Sequence, residues 1–537
     1  MKLLLLSALA ASAIAAPRHI VVVVADDLGR NDLGARNGGR TISPNIDALI
    51  AGGVSLTSYH TFKICSPSRA STLTGRYPFN AGFYDMNTDN NHTTTNFTLY
   101  PQLLKEAGYA THAFGKWDVG YFLRNATATY RGFDSFFGYY CACTSDYWYY
   151  SAASGGSPCV PSGTFNYTVQ DWADSAGPAL SPGDRVGRNG TYNRELLTAR
   201  ATSVIAAHDP AQPLYYYLAW HDIHEACARP DALGLQAPLA TVELYNTTEL
   251  DAYKVHGAMV TELDKGVGAV VAALKARGMW QDTLLLFTSD NGGPLNHATN
   301  YPLRGGKHTF YDGGLRVEAF LSGGALPANL SGTSWDGLAH ASDIYLTLTG
   351  YAGVAVDPSK TGGPAPLDGF NLWPAIVSAG ASPRTEIIHQ VNNSYFDEGA
   401  SALRVGDMKL VRGIIGDNRT LAFPPPGGAP VPIGRSGAVV EPGTDHVRAP
   451  ALTSENGRPC RPFCLFNITA DPGEQHDLAH QPRYAATARA LIARLDEVGA
   501  AAPPPAYIWK NVTQFFREVK EACPAELAAG ALLPLDY

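Results

Sequence analysis

Apolar runs in this chain alternate with segments whose apolar positions recur every three or four residues. Residues 19–25 (HIVVVVA) form an unbroken, mostly β-branched run, which predicts a central strand buried on both faces. Ser43 and Pro44 suit the N-cap and first turn of a helix that extends to Ala51. Similar patterns predict a Thr98-capped helix over 99–108, strands over 109–115, 213–220 and 283–288, and a long amphipathic helix over 248–277.

Polar and ionisable residues follow several of these predicted strands. Strands that alternate with helices indicate an α/β fold, in which helices cover both faces of a sheet. Ligands of such sheets gather at the carboxyl ends of the strands. The sequence therefore predicts one active site at a single sheet edge, containing Asp26, Asp27, Lys116, His221 to His224, Asp290 and Asn291.

The pattern changes after about residue 375. Short strand-like segments at 385–391 and 401–413 accompany a Pro/Gly-rich loop at 423–432, and a helix is predicted near 483–498. We read this region as a smaller α+β subdomain. The expected organisation is a signal peptide over 1–16, a catalytic domain over 17–375 and a C-terminal subdomain over 376–537.

The first residues of the chain have the layout of a secretory signal peptide. Lys2 precedes an apolar core, and Ala13-Ile14-Ala15 resembles a cleavage site. The apolar run is short for a membrane span, and no later stretch is long enough to cross a bilayer. Eleven glycosylation sequons also predict a secreted or lysosome-like protein, at Asn91, Asn96, Asn125, Asn166, Asn189, Asn246, Asn329, Asn392, Asn418, Asn467 and Asn511.

Eight cysteines fit an oxidising compartment without defining their connectivity. None has the paired C-x-x-C spacing of zinc ligands, so zinc is not expected. If Cys65 serves chemistry, seven remain, and at least one of those is free or intermolecular. The net charge of −8 and the mixed polar surface argue against nucleic acid as a partner, because nucleic acid requires a basic stripe.

The acidic residues at the strand ends suggest a metal site. Asp26, Asp27, Asp290 and Asn291 offer three carboxylates and one amide. Oxygen ligands without His or Cys suit a hard cation, calcium or magnesium. Asp-Asp and Asp-Asn-Gly also cap helices and make turns, which is the structural alternative.

Cationic residues suggest an anionic substrate. Arg69, Lys116, His224 and Lys307 lie in segments rich in glycine or aromatic residues, where solvated lysines are less expected. A metal with several cations describes a site for a tetrahedral anionic ester, whose transition-state charge needs stabilisation. Cys65 precedes a helix predicted to start near Pro67, where the helix dipole favours an anion and a thiolate could be the nucleophile.

These motifs together resemble the sulfatase family over roughly residues 18 to 500. The segment CSPSRASTLTGR is similar to the family signature, and the remaining motifs follow in the family's order: VVVADDLG, FGKWDVG, HDIHEA, FTSDNGG and LRGGKHTFYDGGLRV. The segments VGAVVAALKARGMWQDT and CLFNITADPGEQHDL look most like the arylsulfatase B (N-acetylgalactosamine-4-sulfatase) branch. The resemblance implies an alkaline-phosphatase-like mixed sheet flanked by helices.

The resemblance also implies a modified residue. A formylglycine-generating enzyme would read Pro67 and Arg69 in the unfolded chain and oxidise Cys65 to Cα-formylglycine (3-oxoalanine). One hydroxyl of the hydrated aldehyde would attack sulfur, and the second would then expel sulfate. One Ca²⁺ per chain would be bound by Asp26, Asp27, residue 65, Asp290 and Asn291.

The cations acquire roles from the same resemblance. Lys116, Lys307 and Arg69 would hold the sulfonyl oxygens or the diol. Either His224 or Lys307 would protonate the departing alcohol. The expected activity is therefore that of an arylsulfatase-type sulfuric ester hydrolase acting on a sulfate ester, in particular a sulfated carbohydrate.

Asp118 departs from the family pattern, which has histidine in the motif G-K-W-H-L-G. An aspartate is shorter and adds negative charge, and it needs a pKa raised by burial to act as a base near neutral pH. Asp118 either replaces the histidine with an altered pH profile or marks weakened turnover. His221 is a candidate substitute, although a structural role at the strand end is the simpler interpretation.

Two other functions stay open from the sequence. A phosphate or phosphonate ester hydrolase of the same superfamily would share the metal site, but the chain lacks an additional His/Asp cluster for zinc. A non-catalytic glycan-binding relative would explain Asp118, but not the intact set of cations. The aromatic segment 133–150 is either a wall for stacking sugars or core, with core favoured for its first half.

Overall fold

The computed structural model describes most of the chain between residues 18 and 503. The described ranges are 18–84, 94–120, 124–140, 142, 147–148, 151–153, 168–170, 172–176, 190–226, 234–245, 252–363, 366–391, 400–414, 416, 439–440, 446–449 and 459–503. Several predicted features lie outside these residues: the signal peptide, the start of the helix at 248–277, the loop at 423–432, and Cys141, Cys143, Cys159, Cys227 and Cys523.

Twenty strands are formed by the described residues. They are β1 His19–Ala25, β2 Val54–Leu56, β3 Tyr59–His60, β4 Ala110–Lys116, β5 Ser135–Tyr139, β6 Ser151–Ala153, β7 Thr168–Gln170, β8 Trp172–Ala176, β9 Leu214–Ala219, β10 Leu235–Pro238, β11 Thr283–Ser289, β12 Ala319–Ser322, β13 Thr333–Trp335, β14 Ala339–His340, β15 Glu386–Gln390, β16 Ser401–Val405, β17 Met408–Ile414, β18 Val439–Val440, β19 His446–Ala449 and β20 Pro459–Asn467.

The described α-helices range from single turns to one helix of seven turns. They are α1 Gly34–Asn37, α2 Pro44–Ala51, α3 Cys65–Thr74, α4 Tyr100–Glu106, α5 Asn193–Ala207, α6 Leu239–Val242, α7 Ala252–Ala276, α8 Asp312–Leu315, α9 Asp343–Ala352, α10 Trp373–Val377 and α11 Ala485–Ala501.

A nine-stranded mixed sheet forms the centre of the molecule. Its order is β13-β2-β12-β11-β1-β9-β4-β5-β8. The neighbours β11, β1, β9, β4 and β5 run parallel, whereas β12 and β8 add antiparallel strands on either side of them. Every residue of β1 and β11 is buried, as the apolar runs at the centre of each strand predict. The predicted α/β sheet is therefore confirmed.

Helices bury both faces of this sheet. On one face, Val21 and Val23 of β1 belong to an apolar cluster that includes residues of α2, α5 and α7. On the other face, Ile20 and Val22 belong to a cluster that includes residues of α3, α4 and α9. Successive β1 side chains thus enter opposite cores, which explains why the strand needs an apolar residue at every position.

Two predicted helix boundaries are wrong by one or two residues. The helix assigned a Thr98 cap begins at Tyr100 with Leu99 at the N-cap, and the backbone N–H of Leu99 donates to Gln102 Oε1 at 2.9 Å. The helix expected to start near Pro67 begins at Cys65 instead. Proline tolerates any of the first helical positions, because its missing N–H would have no partner there, so it does not mark one position.

A second, smaller sheet lies in the C-terminal part of the chain. Its antiparallel order is β15-β16-β17-β20, and α11 packs against it through Leu491 and Leu495. A separate apolar cluster joins Val411 and Phe466 of this sheet to Cys65 and Phe310 of the larger unit. The smaller sheet consequently supports the segments that carry predicted site residues.

The described part of the aromatic segment is core. Phe133, Phe136 and Tyr140 pack beneath β4 and β9, and Tyr147 and Trp148 are also buried. The remaining positions of the second half lie outside the described residues. Elsewhere, Cys460 and Cys464 form a disulfide, and Cys65 is a free thiol. No helix in the described ranges combines the length and apolarity needed to cross a membrane.

Close approach of β4 and β5 predicts a sensitive glycine. A Cβ at Gly138 would lie 2.0 Å from the carbonyl oxygen of Gly115, the residue directly before Lys116. We expect Gly138→Ala to lower the free energy of unfolding by at least about 1–3 kcal/mol, measured by chemical denaturation, because the backbones must separate.

Gly499→Ala is the matched control, since the nearest atom to its new Cβ is 3.9 Å away in a helix. It should be neutral or stabilising by roughly 0.5–1 kcal/mol. Equal unfolding free energies for the two variants would contradict the packing argument.

Candidate active site

The predicted site residues meet at one edge of the central sheet. Asp26 and Asp27 follow β1, Lys116 ends β4, and Asp290 follows β11. Parallel neighbours bring these carboxyl ends together, and the loop after β9 adds His221 and His224 from the same side. All of these residues are buried.

Asp27 turns the chain sharply at the end of β1. Its φ of 67° lies in the left-handed region, which aspartate tolerates better than most residues. Its backbone N–H donates to Asp290 Oδ1 at 3.3 Å, and Asn291 Nδ2 donates to Asp27 Oδ1 at 2.7 Å. The Asp26-Asp27 and Asp290-Asn291 motifs are therefore hydrogen-bonded to each other. Capping a helix or forming a turn would not require this long-range contact.

Cys65 is the first residue of α3, and Arg69 follows one turn later. The guanidinium of Arg69 donates from Nη2 and Nε to Asp290 Oδ2, at 2.8 Å and 3.0 Å. Burial raises the pKa of the Cys65 thiol, despite the nearby cations Lys116 and Lys307. The unmodified side chain is thus a neutral thiol, and a thiolate nucleophile is not favoured.

Lys116 pairs with Asp26 inside the protein. Its Nζ lies 3.0 Å from Asp26 Oδ2, and Arg69 Nη2 lies 3.7 Å from Asp26 Oδ1. Burial opposes ionisation of Asp26, but Lys116, His224 and Arg69 outweigh it and hold its pKa well below its usual range. His221 lies behind this pair, with Nδ1 3.4 Å from Asp26 Oδ2, which supports a structural role for that ring.

Lys307 connects the second aspartate to a histidine. Its Nζ donates to Asp27 Oδ2 at 2.7 Å and to His224 Nε2 at 2.9 Å. The other ring nitrogen of His224 lies 2.6 Å from the carbonyl oxygen of Glu225, so Nδ1 carries the hydrogen. Burial and the charge of Lys307 lower the pKa of His224, which is therefore neutral. The proton at this contact belongs to Lys307.

Asp118 lies beside Lys116 with its backbone in the left-handed region, at a φ of 55°. Ser66 Oγ donates to Asp118 Oδ1 at 2.9 Å, and Lys116 Nζ lies 3.7 Å from Asp118 Oδ2. Burial raises the pKa of Asp118, although Lys116, Arg69 and the Ser66 hydrogen bond oppose the rise. The pKa shift thus has the direction that a carboxylate base needs.

Asp26, Asp27, Asp290 and Asn291, which these contacts bring together, form an acidic cluster that fits a cation. Ligand atoms of Asp26, Asp27, Cys65 and His224 all lie within 4.8 Å of one another. His224 already accepts a hydrogen bond from Lys307, which leaves oxygen atoms as the main donors. Asn291 Oδ1 is buried and has no hydrogen-bond partner in the described part of the chain, as expected for an atom that binds a metal. Burial and the carboxylate of Asp26 raise the pKa of Asp290 to about 7. A bound cation would favour the ionised carboxylate and lower this pKa.

Two site residues were missed by the sequence interpretation. Tyr147 donates its hydroxyl to the carbonyl oxygens of His221 at 2.7 Å and His224 at 2.6 Å, and so fixes the histidine loop. Tyr147 lies in the aromatic segment 133–150, which the sequence interpretation assigned to core or sugar stacking and not to hydrogen bonding. Ser66 orients Asp118, and its place directly after Cys65 was the available signal.

Comparison with known proteins defines the class. The Sulfatase family model matches residues 18–354. Arylsulfatase J of Mus musculus is 31% identical over 91% of this chain and 77% of its own length. N-acetylgalactosamine-6-sulfatase of Mus musculus is 29% identical over 70% of this chain and 69% of its own length. The crystal structure of Ps i-CgsB in complex with k-i-k-neocarrahexaose has a TM-score of 0.70 and 24% identity, over 96% of this chain and 99% of that one.

The family match, together with the fold, defines the protein as an alkaline-phosphatase-like hydrolase of sulfuric esters. The chain belongs to the sulfatase family. The same fold also occurs in a phosphonate monoester hydrolase of Agrobacterium radiobacter, with a TM-score of 0.55 and 17% identity over 90% of this chain and 96% of that one. The assignment to the sulfatase family thus depends on the sequence match, and the arylsulfatase B branch stays a prediction.

Removal of a carboxylate from the acidic cluster should weaken cation binding. We expect Ca²⁺ to raise the unfolding temperature of chelator-treated protein, since a ligand at 100 times its Kd stabilises a folded state by about 2.7 kcal/mol. Asp290→Asn keeps the side-chain shape but removes a negative charge, and should lose most of this shift in calorimetry.

Asp343→Asn provides the matched control, because Asp343 is an equally buried carboxylate that pairs with Arg384 outside the cluster. This variant should keep the Ca²⁺-dependent shift of the wild type. An undiminished shift in Asp290→Asn would show that the cation does not depend on this carboxylate.

Proposed function

We propose that this protein hydrolyses sulfate esters of carbohydrates by means of a formylglycine derived from Cys65. One observation carries the proposal: a buried cysteine begins a helix inside a ring of cations, beside an acidic cluster at the sheet edge. A neutral buried thiol has no evident use there, whereas its oxidation to an aldehyde would supply a hydrated diol, one hydroxyl to attack sulfur and one to release sulfate.

Calcium is the proposed cation, with Asp26, Asp27, Asp290, Asn291 and modified residue 65 as its ligands. Carboxylate and amide oxygens suit this hard ion. When bound, calcium would act as a Lewis acid on the sulfate oxygens. The Lys116, Arg69 and Lys307 side chains surround the same space and would bind the peripheral oxygens of the ester.

Lys307 is the proposed proton donor to the leaving alcohol. The ammonium is protonated because the charge of Asp27 outweighs burial and raises the pKa of Lys307. His224 is neutral and accepts from Lys307, so it positions the ammonium and could relay the proton. The bond between sulfur and the alcohol oxygen breaks, the alcohol leaves with this proton, and the complete cycle consumes one water.

Asp118 is the proposed base that removes a proton from a hydroxyl of the diol, either the one that attacks sulfur or the one that expels sulfate. Ser66 donates to one carboxylate oxygen, while the other, Oδ2, has no hydrogen-bond partner among the described residues and lies in an ion pair with Lys116. Burial raises the pKa of Asp118. The carboxylate therefore takes the place of the family's histidine without requiring a longer side chain.

Carbohydrate substrates and secretion are supported by other features. The names of N-acetylgalactosamine-6-sulfatase and the neocarrahexaose complex both refer to carbohydrates. Sequons at Asn96, Asn125 and Asn329 are exposed and can accept glycans during passage through the secretory pathway. The formylglycine-generating enzyme would act in that pathway before the chain folds, because Cys65 is inaccessible afterwards.

The mass of the tryptic peptide 64–69 tests the proposed function. Protein secreted by a host that contains the generating enzyme should carry an aldehyde at residue 65. Cys65→Ala should lose nearly all turnover of aryl sulfates and sulfated sugars while remaining folded.

Turnover of a phosphonate or phosphate monoester with higher kcat/KM than the matched sulfate would instead favour the other branch of the superfamily. An unmodified cysteine, from a host shown to convert a reference sulfatase, would overturn the formylglycine proposal.

Asp118 should control the acidic side of the pH profile. A base must be deprotonated, so kcat should fall as the pH drops through the Asp118 pKa, which burial places above its usual range. Lys116, Arg69 and Asp26 are the charged groups that act on it. The fall of kcat on the acidic side is the acidic limb of the profile. Asp118→His should move the midpoint of this limb toward the ordinary histidine pKa of about 6.5.

Asp118→Asn should lower kcat on the order of 10²- to 10⁴-fold and remove the limb, because an amide cannot accept the proton. The amide matches the carboxylate in shape and can still accept from Ser66, which makes it the control for packing. Wild-type kcat with an unchanged limb in Asp118→Asn would contradict the assignment of a base.

A further inference from the structure

The loop that carries Lys307 is held at both ends by one residue of the C-terminal part of the chain. Glu474 accepts a hydrogen bond from Arg304 Nη1 with its backbone carbonyl, at 2.6 Å. Its side-chain Oε2 accepts from the backbone N–H of Asp312 at 2.6 Å. Lys307 lies between these two attachment points, on a loop whose ends are also joined by the bond from Gly313 N to Arg304 O at 2.7 Å.

A buried ion cluster fastens this attachment to the smaller sheet. Lys409, on β17, places Nζ 2.7 Å from Asp312 Oδ1 and 2.9 Å from Glu474 Oε1. The side chains of all three residues have no solvent exposure. Loss of a partner from such a cluster leaves a buried charge without compensation, so the cluster resists displacement of the loop.

The loop cannot shift without disturbing the metal motif. A Cβ at Gly292 would lie 1.7 Å from the Gly313 carbonyl oxygen, and one at Gly306 would lie 2.4 Å from the Gly293 carbonyl oxygen. Glycines on both segments therefore allow backbone-to-backbone packing directly after Asn291. The backbone N–H of Lys307 donates to Gly293 O at 3.2 Å, which fixes the position of the lysine backbone relative to the metal motif.

The same loop is also tied to the residues that precede Cys65. His308 N donates to Lys63 O, and Thr61 N donates to Leu315 O, both at 2.8 Å. Displacement of the loop would therefore be transmitted to both Lys307 and residue 65.

We infer that Glu474 is a positioning residue for Lys307, and that the C-terminal sheet sets the geometry of the sulfate site through Glu474, Lys409 and Asp312. This inference depends on the role proposed above for Lys307. Glu474 has an unfavourable left-handed φ of 49°, which indicates that surrounding contacts fix its backbone for both attachments. Its action is through the loop, since the described contacts place it on Arg304, Asp312 and Lys409.

The test compares Glu474→Ala, which removes the acceptor for Asp312 N, with Glu474→Gln, which keeps an acceptor of the same length. The assay is turnover of a chromogenic aryl sulfate by full-length protein, expressed per folded chain that carries formylglycine. We expect Glu474→Ala to lower kcat ten- to a hundredfold, in the range caused by a misplacement of about 1 Å, with KM changed less. Glu474→Gln should recover most of kcat.

Asp343→Ala is the matched control for lost stability. It also removes a buried carboxylate, which accepts from two backbone N–H groups and pairs with Arg384 away from the Lys307 loop. Hydrogen–deuterium exchange supplies a local readout: residues 303–316 should exchange faster in Glu474→Ala, and at the wild-type rate in Asp343→Ala.

The outcomes separate the two proposals. If Lys307→Ala retains wild-type kcat, the proposed role of Lys307 fails. If Lys307→Ala is inactive while Glu474→Ala matches the kcat of Asp343→Ala, the positioning inference is overturned and the role of Lys307 stands. Equal losses of kcat in Glu474→Gln and Glu474→Ala would also overturn the inference, because the acceptor would then have no effect.

Discussion

Buried charge is the constraint on which the site and its surrounding fold both depend. Three carboxylates at the ends of adjacent strands are almost fully removed from water, where an isolated carboxylate would be strongly destabilising. Each has a cationic partner: Asp26 with Lys116, Asp27 with Lys307, and Asp290 with Arg69. Loss of one partner from a buried pair typically destabilises a protein by about 3–5 kcal/mol. The cations that suit a sulfate ester are thus the same groups that permit the acidic cluster to fold.

This arrangement places strict demands on the backbone. The five parallel strands bring their carboxyl ends to one edge, but the loops beyond them must also pack closely enough for lysine and arginine to reach the carboxylates. Glycines at positions 292 and 313 allow this close packing, because a Cβ at either position would collide with a carbonyl oxygen. The small C-terminal sheet completes the arrangement, because Val411 and Phe466 share an apolar cluster with Cys65, and Lys409 pairs with Asp312 at the end of the Lys307 loop. Separate parts of the chain are therefore joined at the site.

The replacement of the family's histidine by Asp118 is accommodated by local contacts. An additional carboxylate beside an acidic cluster would ordinarily repel it, yet Lys116 lies between Asp118 and Asp26 and interacts with both. Ser66 satisfies one oxygen of Asp118 from the helix that begins with Cys65. Lys116 and Ser66 thus compensate for the carboxylate that stands at this position.

The sequence alone determined four of the five parallel strands, β1, β4, β9 and β11, and the order of the motifs, and it predicted the residues of the site. Six consecutive apolar residues before Asp26 are typical of a strand buried on both faces, and the family motifs lie at the ends of this and the following strands. Helix starts were less certain, as Thr98 and Pro67 show, because several neighbouring positions satisfy the same capping rules. Only the tertiary structure decided which charges pair, that Tyr147 donates to the loop of His221 and His224, and that Glu474 contacts the loop of Lys307. These contacts join residues up to 280 positions apart, as between Asp27 and Lys307, and a local sequence pattern carries no information on such long-range contacts.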